Sequence, residues 1–197
     1  MPIPKILVIP GSLRTGSHNV RLAALMVKEL TLADAEVTRI SLTDYPLPLY
    51  DANLEVMSGV PENALKLKRM MVAHHGVFIA SPEYNASVTP LLKNTIDWVS
   101  RARERGDEQY AAYKNRPFAL GAASPGPFGG MRSLLTMRQV LEVGIGALVI
   151  PDMVSIANAD RAFDEQDNLI DPRALGRVRT VADKLIEMAR MMMGASV

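Results

Sequence analysis

The sequence contains no cysteine in its 197 residues. A chain without thiols cannot form disulfide bonds, thiolate zinc sites or iron–sulfur clusters, and it cannot use a catalytic cysteine. The absence of cysteine therefore excludes all of these kinds of site.

An excess of charge of one sign is lacking as well. The 22 lysine and arginine residues are balanced by 21 aspartate and glutamate residues, so the net charge is +1. This balance gives no electrostatic reason to expect nucleic acid or an anionic membrane as the main partner. No apolar run approaches the roughly 20 residues that a membrane span needs. Residues 1–5 also lack the charged-then-apolar layout of a signal peptide, so the expected location is the cytoplasm.

The residues that are present have the composition of a compact globular protein. Hydrophobic residues make up 48% of the chain and charged residues 22%, which is far from the composition of disordered proteins. The length fits one domain, and neither a repeat nor a low-complexity tract divides the chain. We therefore expect a single domain over residues 1–197.

Short apolar segments alternate with segments of helical periodicity along the whole chain. Strands are expected at 5–10, 36–42, 76–81 and 117–123, with a last strand in two parts, 147–150 and 154–157. Helices are expected at 17–32, 62–74, 90–101, 131–143 and 172–192, with a proline-rich loop at 44–61 and an exposed, charged loop at 103–116. This alternation predicts an α/β fold built from parallel βαβ units. In such sheets the loops after the strands form the ligand site, here those after strands one, three and four.

The loop after strand one gathers polar side chains at the start of a helix, namely Ser12, Arg14, Ser17 and Asn19. Backbone amides and the helix dipole favour a dianion there, and Arg14 adds a fixed positive charge, so the loop favours a phosphate group. The spacing is neither G-x-G-x-x-G nor a Walker sequence with its lysine. The alternative interpretation is a polar turn in which Ser17 is the N-cap of the helix.

The loop after strand three, residues 81–90, combines prolines with an aromatic residue and an amide. Such a stiffened turn fits a planar ring, because Tyr84 can cover one face while backbone groups reach polar atoms at the edge. The alternative is a tight turn whose Tyr84 only plugs the end of the sheet. In the helix that follows, Trp98 is expected in the core or a subunit interface, and Asp97 and Arg101 are expected to pair on the surface.

The loop after strand four, residues 124–130, contains three glycines and allows the backbone to approach something flat or anionic. A flexible turn is the alternative, but the position beside two other unusual loops favours a site. The three histidines do not form a plausible metal set. His74 and His75 are expected to be structural, while His18 either touches the ligand or is solvated. The acidic loop 164–171 has too few well-spaced oxygens for an EF-hand and is expected to be solvated.

Taken in order, these motifs resemble the NADPH-dependent FMN reductase family, which includes quinone and chromate reductases. The matching residues are Gly11-Ser12-Leu13-Arg14 with Ser17 and Asn19, then Pro82-Glu83-Tyr84-Asn85 with Leu92-Lys93-Asn94 and Asp97-Trp98, and finally Ser124, Gly126, Gly129, Gly130 and Arg132. The resemblance implies a flavodoxin-like three-layer sandwich with a five-stranded parallel sheet in the order 2-1-3-4-5. It also implies a single FMN-binding domain.

The resemblance assigns roles to eleven residues. The FMN phosphate would be bound by Ser12, Arg14, Ser17 and Asn19. The isoalloxazine would be lined by Pro82, Glu83, Tyr84 and Asn85, and its pyrimidine side would be bordered by Ser124, Gly126 and Gly129. The chain departs from the family at Thr89-Pro90, where many members have proline and then glycine, which affects the rim of the site and the choice of substrate.

The activity implied by the resemblance is an oxidoreductase reaction. NAD(P)H would deliver hydride to bound FMN, which would pass it to a small acceptor such as a quinone, a free flavin or a metal oxyanion, with no catalytic side chain and no metal. Arg101, Arg103 and Arg105 would either help to bind the NADPH 2′-phosphate or form a solvated surface run. A homodimer or homotetramer is also implied. The alternatives are a nucleotide- or sugar-phosphate enzyme, a flavodoxin-type electron carrier and a flavin-binding redox sensor.

Overall fold

The computed structural model describes residues 2–194 of the chain. Its centre is a five-stranded parallel sheet in the order β2-β1-β3-β4-β5, which confirms the predicted topology. The strands are β1 (Lys5–Pro10), β2 (Glu36–Arg39), β3 (Gly76–Ala80), β4 (Pro117–Ala123) and β5 (Leu148–Ile156). The helices are α1 (His18–Leu32), α2 (Ala52–Ser58), α3 (Glu62–Val72), α4 (Pro90–Arg101), α5 (Met131–Arg138) and α6 (Pro172–Gly194).

The sheet is covered on both faces, which explains the continuous apolar runs of its central strands. Side chains alternate between the two faces along β1. Ile6 and Val8 pack in the core formed with α1 and α6. Leu7 and Ile9 pack in the core formed with α3, α4 and α5. The result is the expected three-layer sandwich. Within the described range, no helix is long and apolar enough to cross a bilayer.

Two predicted loops contain structure that the sequence interpretation missed. Strand β2 ends at Arg39, before the expected Leu42, because Ser41 begins a 3₁₀ turn and accepts a hydrogen bond from the Thr43 N–H. Helix α2 lies inside the expected loop 44–61. Asp51 caps its start, and it ends at Gly59, whose φ of +75° is left-handed. Aspartate before the helix and glycine after it were the available signals.

Strand β5 and helix α5 differ from the expectation in their details. Strand β5 is continuous, but its pairing with β4 shifts around Pro151 and Asp152, so that Phe118 faces Val149 while Leu120 faces Met153. A bulge is how a strand accommodates a proline that cannot donate a hydrogen bond. Helix α5 gives way at Gln139 to a π-helical segment, Gln139–Ile145, which extends beyond the predicted end.

Of the side chains outside the site, Trp98 and His75 have the predicted roles, and the ion pair predicted on α4 is not formed. Trp98 is fully buried and donates from Nε1 to the Pro48 carbonyl oxygen, as expected for a core residue. The Asp97–Arg101 pair is wrong, because Lys93 binds Asp97 while α2 brings Glu55 to Arg101. His75 is structural, as predicted, since its Nδ1 accepts from the Lys5 N–H.

The two polar loops are less solvated than expected. In loop 103–116, Tyr113 and Arg116 are buried, and Arg116 donates to the Met71 carbonyl oxygen at the end of α3. In the acidic loop, Arg21 of α1 donates to the carboxylate of Asp167 and to the carbonyl oxygen of Asp164. Both loops are therefore bonded to the sandwich. The first loop is bonded through its own Arg116 to the end of α3, and the second through Arg21 of α1, and local composition could not predict either partner.

Candidate cofactor site

Three loops meet at the carboxyl end of β1, β3 and β4 and enclose a small cavity. Its lining residues are Ser12, Arg14, Ser17, His18, Asn19, Pro82, Glu83, Tyr84, Ala123, Ser124 and Pro125. Eight of the eleven predicted site residues are in this set, and the other three, Asn85, Gly126 and Gly129, are not. The cavity measures about 90 Å³, well below the roughly 300 Å³ or more that encloses a drug-sized ligand. It can enclose a phosphate group, while a larger ring would lie on the open surface beside it.

The loop after β1 leaves several hydrogen-bond donors free at the start of α1. Ser17 occupies the N-cap position, but its hydroxyl makes no capping hydrogen bond, so the simple N-cap interpretation fails. Among residues 2–194, nothing accepts a hydrogen bond from the backbone N–H of His18 or Asn19 or from the guanidinium of Arg14. Free N–H groups at a helix N-terminus beside an unpaired arginine are suited to bind an anion.

Asn19 joins the start of α1 to the end of β4. Its Nδ2 donates to the Ala123 carbonyl oxygen at 2.8 Å, and its Oδ1 accepts from the Ala123 N–H at 2.9 Å. The side chain is buried, and one of its two Nδ2 hydrogens is used by this pairing. That Asn19 contacts the phosphate stays a prediction. The observed bonds give it a positioning role.

His18 lies in the same cavity with one ring nitrogen buried. Its Nδ1 has no hydrogen-bond partner in the described part of the chain, so full solvation is contradicted for this atom. Burial and the positive charges of Arg14 and Arg21 lower the pKa of His18 below its ordinary value, and Asp160 offsets part of that effect. These influences favour the neutral form of the imidazole.

The loop after β3 forms a tight turn that presents Tyr84 to solvent. Tyr84 and Ser87 exchange two backbone hydrogen bonds of 3.0 Å, and Asn85 and Ala86 between them have φ values of +50° and +62°. These are the angles of a type I′ turn. Asn85 therefore occupies the tip of the turn and lies outside the cavity. Tyr84 is 53% exposed, so it does not plug the end of the sheet.

Glu83 bonds protein groups on the neighbouring element. Its carboxylate accepts from the backbone N–H of Arg132 at 3.1 Å and of Ser133 at 3.3 Å, and it pairs with the Arg132 guanidinium. It thus caps the N-terminus of α5 from another loop. Burial opposes ionisation, but the bonds from Arg132 and Ser133 outweigh it and hold the pKa of Glu83 below its ordinary value. The Arg132 guanidinium also lies 4.9 Å from the centroid of the Phe128 ring.

The two predicted site glycines after β4 differ in how strictly the structure requires glycine at their positions. Gly129 has a φ of +58°, and a Cβ there would overlap Ser155 and the backbone of β5, so packing alone requires glycine. At Gly126 a Cβ would meet only ordinary contact with Ser124. The Ser124 hydroxyl accepts from the Gly126 N–H at 3.3 Å and stiffens the turn.

Thr89 connects two of the three loops, and sequence reasoning did not assign it a role. Its hydroxyl donates to the Gly11 carbonyl oxygen at 3.3 Å and accepts from the Leu92 N–H at 3.3 Å, which caps α4. Pro90 follows as the first helical residue. Threonine followed by proline at the start of an apolar helix is an N-cap signal that could have indicated this role.

With this geometry established, the chain can be compared with known proteins. The family model described as NADPH-dependent FMN reductase matches residues 4–161. The chain belongs to this family. It is 34% identical over 172 residues to an NAD(P)H-dependent FMN reductase of Pseudomonas aeruginosa, covering 86% of each chain, and 35% identical over 174 residues to a quinone reductase of Escherichia coli strain K12, covering 87% of each.

A solved structure shares the fold over almost the whole chain. The flavoenzyme NAD(P)H:(acceptor) oxidoreductase FerB of Paracoccus denitrificans has a TM-score of 0.76 and 25% identity, covering 96% of this chain and 99% of its own. Together these findings confirm the predicted family, flavodoxin-like fold and activity. The protein is an NAD(P)H-dependent oxidoreductase that uses FMN. An enzyme is thus favoured over the electron carrier and the redox sensor.

Proposed function

We propose that the three loops hold FMN with its phosphate in the cavity at the start of α1. The observation that carries this proposal is the convergence of unused donors on a space of phosphate size. These donors are the Arg14 guanidinium, the Ser17 hydroxyl and the N–H groups of His18 and Asn19. Ser12 also lines the cavity and adds a hydroxyl. Positive charge, hydroxyls and a helix N-terminus are the chemistry that a phosphate dianion requires.

The isoalloxazine then lies outside the cavity, between the Tyr84 turn and the loop 124–130. Pro82, Tyr84 and Asn85 line one side, and Ser124, Gly126 and Gly129 border the other. Glu83 fixes the loop after β3 to α5, because its carboxylate is already bonded to Arg132 and Ser133. Asn19 fixes α1 to β4 in the same way.

The chain's own residues bind and orient the reactants. When bound, FMN accepts hydride from NAD(P)H and passes it on, and this is the chemistry that the cofactor supplies. The exposed rings of Tyr84 and Phe128 offer apolar surface beside the open face, which suits a flat acceptor. We propose a quinone as that acceptor, because curated relatives of the chain are quinone reductases; free flavins and metal oxyanions are the other acceptors to test.

We also propose that the chain forms one domain over its 197 residues and a homodimer or homotetramer in the cytoplasm. The support for one domain is that both cores span the same sheet. The support for an oligomer is the exposed apolar surface on the three loops, at Leu13, Tyr84 and Phe128.

The phosphate assignment can be tested by titrating FMN and riboflavin into the deflavinated protein and following flavin fluorescence. Arg14→Ala should weaken FMN binding by about 1.5–3 kcal/mol, roughly 10- to 150-fold in Kd, because it removes a hydrogen bond to a charged group. Riboflavin has no phosphate, so its affinity should not change. Arg105→Ala is a matched control, since Arg105 is another exposed arginine. Equal FMN affinity for wild type and Arg14→Ala would contradict the assignment.

A further inference from the structure

A larger cavity opens at the carboxyl end of β5, beside the candidate FMN site. It measures about 470 Å³. Buried side chains of Ile156, Leu169 and Ala174 form its apolar lining, and Arg161 and Arg177 are on its exposed rim. This volume falls within the range of small-molecule sites and is too large for a phosphate alone.

The two cavities share a wall made of hydrogen-bonded backbone. The N–H of Ser124 donates to the Ile156 carbonyl oxygen at 3.0 Å, and the N–H of Ala159 donates to the Ser124 carbonyl oxygen at 3.0 Å. The N–H of Asn158 lies 3.5 Å from the Gly126 carbonyl oxygen. Ser124 lines the smaller cavity, while Ile156 and Asn158 line the larger one. A ligand that extends from the face of the isoalloxazine across the loop 124–130 would reach the larger cavity next.

The charged groups of the cavity favour an anion. Arg177 has no hydrogen-bond or ion-pair partner within residues 2–194, and the Arg161 guanidinium bonds only the Asn158 side-chain oxygen, at 3.3 Å. Asp171 also lines the cavity, and its carboxylate accepts from the Arg173 N–H at 2.9 Å near the start of α6. Two arginines therefore face one carboxylate, above an apolar surface that suits a purine ring.

We propose that this cavity binds the adenosine end of NADPH, with Arg161 and Arg177 holding its 2′-phosphate. The enzyme uses NAD(P)H, whose nicotinamide must approach bound FMN while its second, phosphate-bearing half lies elsewhere on the protein. The proposal rests on the proposed placement of FMN. Arg101 and Arg103 fit this role less well, because Arg101 already binds Glu55 and Arg103 donates to the Asp107 carbonyl oxygen. Arg105 is not among the residues that line this cavity.

The proposal can be tested on the FMN-loaded enzyme with adenosine 2′,5′-bisphosphate as the probe in calorimetric titrations. Arg161→Ala and Arg177→Ala should each weaken its binding at least tenfold. Both variants should raise the KM for NADPH by a similar factor with kcat unchanged, because they remove binding that is equal in the ground and transition states. The KM for NADH, which lacks the 2′-phosphate, should change little. Arg173→Ala, one turn before Arg177 on α6 but outside the cavity lining, should behave as wild type.

The possible outcomes separate this proposal from the FMN assignment. If the bisphosphate binds the wild type and both cavity variants equally, the cavity is not its site, while the Arg14 test of FMN binding is unaffected. If the variants lose the bisphosphate but keep the KM for NADPH, the cavity binds nucleotides without serving the coenzyme, and the proposal is wrong. If the bisphosphate displaces FMN, it occupies the smaller cavity, which also overturns the proposal.

Discussion

At the scale of single residues, the structure divides the predicted site into side chains that are free and side chains that bond the protein. The Arg14 guanidinium and the Ser17 hydroxyl have no partner in the described range, which is what a ligand-binding group requires. Asn19 and Glu83 were assigned from the same motifs, yet both bond backbone far along the chain, at Ala123 and at Ser133. Spacing along one loop cannot reveal a partner that is about 50 or 100 residues away. The types of residue at the site could be predicted, but not which side chains would already be hydrogen-bonded to other parts of the protein.

Glu83 gives a prediction with a definite dependence on pH. Glu83→Gln removes the charge that caps α5 and pairs with Arg132, and since Arg132 is half exposed we expect a loss of about 1–2 kcal/mol at pH 7. This corresponds to a fall of about 2–8 °C in the thermal midpoint for a chain of this length. The pKa of Glu83 is lowered in the folded protein, so its contribution is full above the ordinary carboxyl pKa of 4.5 and is lost as the pH falls through the lowered value.

The measurement is the difference in thermal midpoint between wild type and Glu83→Gln at pH 7 and at pH 3. The difference should shrink at pH 3. Glu165→Gln, a change at an exposed carboxylate of the loop after β5, is the control and should shift the midpoint little at either pH. A difference that is the same at both pH values would show that the charge of Glu83 does not contribute.

At the scale of elements, Thr89 is the residue on which the relative position of two loops depends. Its hydroxyl caps α4 and also bonds Gly11 in the loop after β1. Gly11 itself packs so closely on Leu92 of α4 that a Cβ would overlap that side chain. The loop after β1, called the phosphate loop for its proposed ligand, is therefore in direct contact with the start of α4.

Thr89→Val tests this connection because it keeps the branched shape and removes the hydroxyl. Loss of an N-cap typically costs about 1 kcal/mol of stability, and we expect in addition a several-fold weaker affinity for FMN. Thr89→Ser should restore both properties. Thr95→Val is the matched control, since the Thr95 hydroxyl bonds only Leu91 within α4. An FMN affinity that is unchanged in Thr89→Val would contradict a role for Thr89 in shaping the phosphate loop.

How far the elements could be predicted depended on the regularity of their hydrogen bonding. Strand β1, strand β4 and helix α4 begin and end at the predicted residues, because their apolar patterns stop at proline, glycine or charged residues. The π-helical segment after α5 was missed, because it is an irregularity of backbone pairing that leaves the pattern of apolar residues almost unchanged. The irregularity of β5 was placed correctly by Pro151, but it is a bulge in a continuous strand and not the predicted break.

At the scale of the whole molecule, the order of strands brings the three loops of the candidate site together at one edge of the sheet. Strands β1, β3 and β4 are neighbours in space, although β2 lies between β1 and β3 in the sequence. Their three loops therefore meet, and the family resemblance, which implied this order, also predicted the cofactor site at these loops. The larger cavity beyond β5 was not predicted. Its lining comes from β5, from the loop after it and from α6, and residues from such separate segments form no motif.

The association state provides a prediction for the whole molecule. We expect light scattering to give a mass of two or four times the 21.5 kDa of one chain. The physical reason is that Leu13, Tyr84 and Phe128 are each more than half exposed on the loops of the site, and a second copy packed beside the open face would cover part of this apolar surface. Phe128→Ser should shift the equilibrium towards smaller species. A monomeric mass for the wild type at micromolar concentrations would contradict the prediction.

The bonds that connect the three loops have a consequence for how the enzyme acquires its flavin. Thr89, Asn19 and Glu83 hold the loops together through groups of the polypeptide alone. The entropy lost in ordering these loops is therefore part of protein folding, and none of it has to be recovered from the affinity for the incoming cofactor. A pocket preorganised in this way keeps its shape when flavin is absent, so we expect the deflavinated protein to stay folded and to take up added FMN.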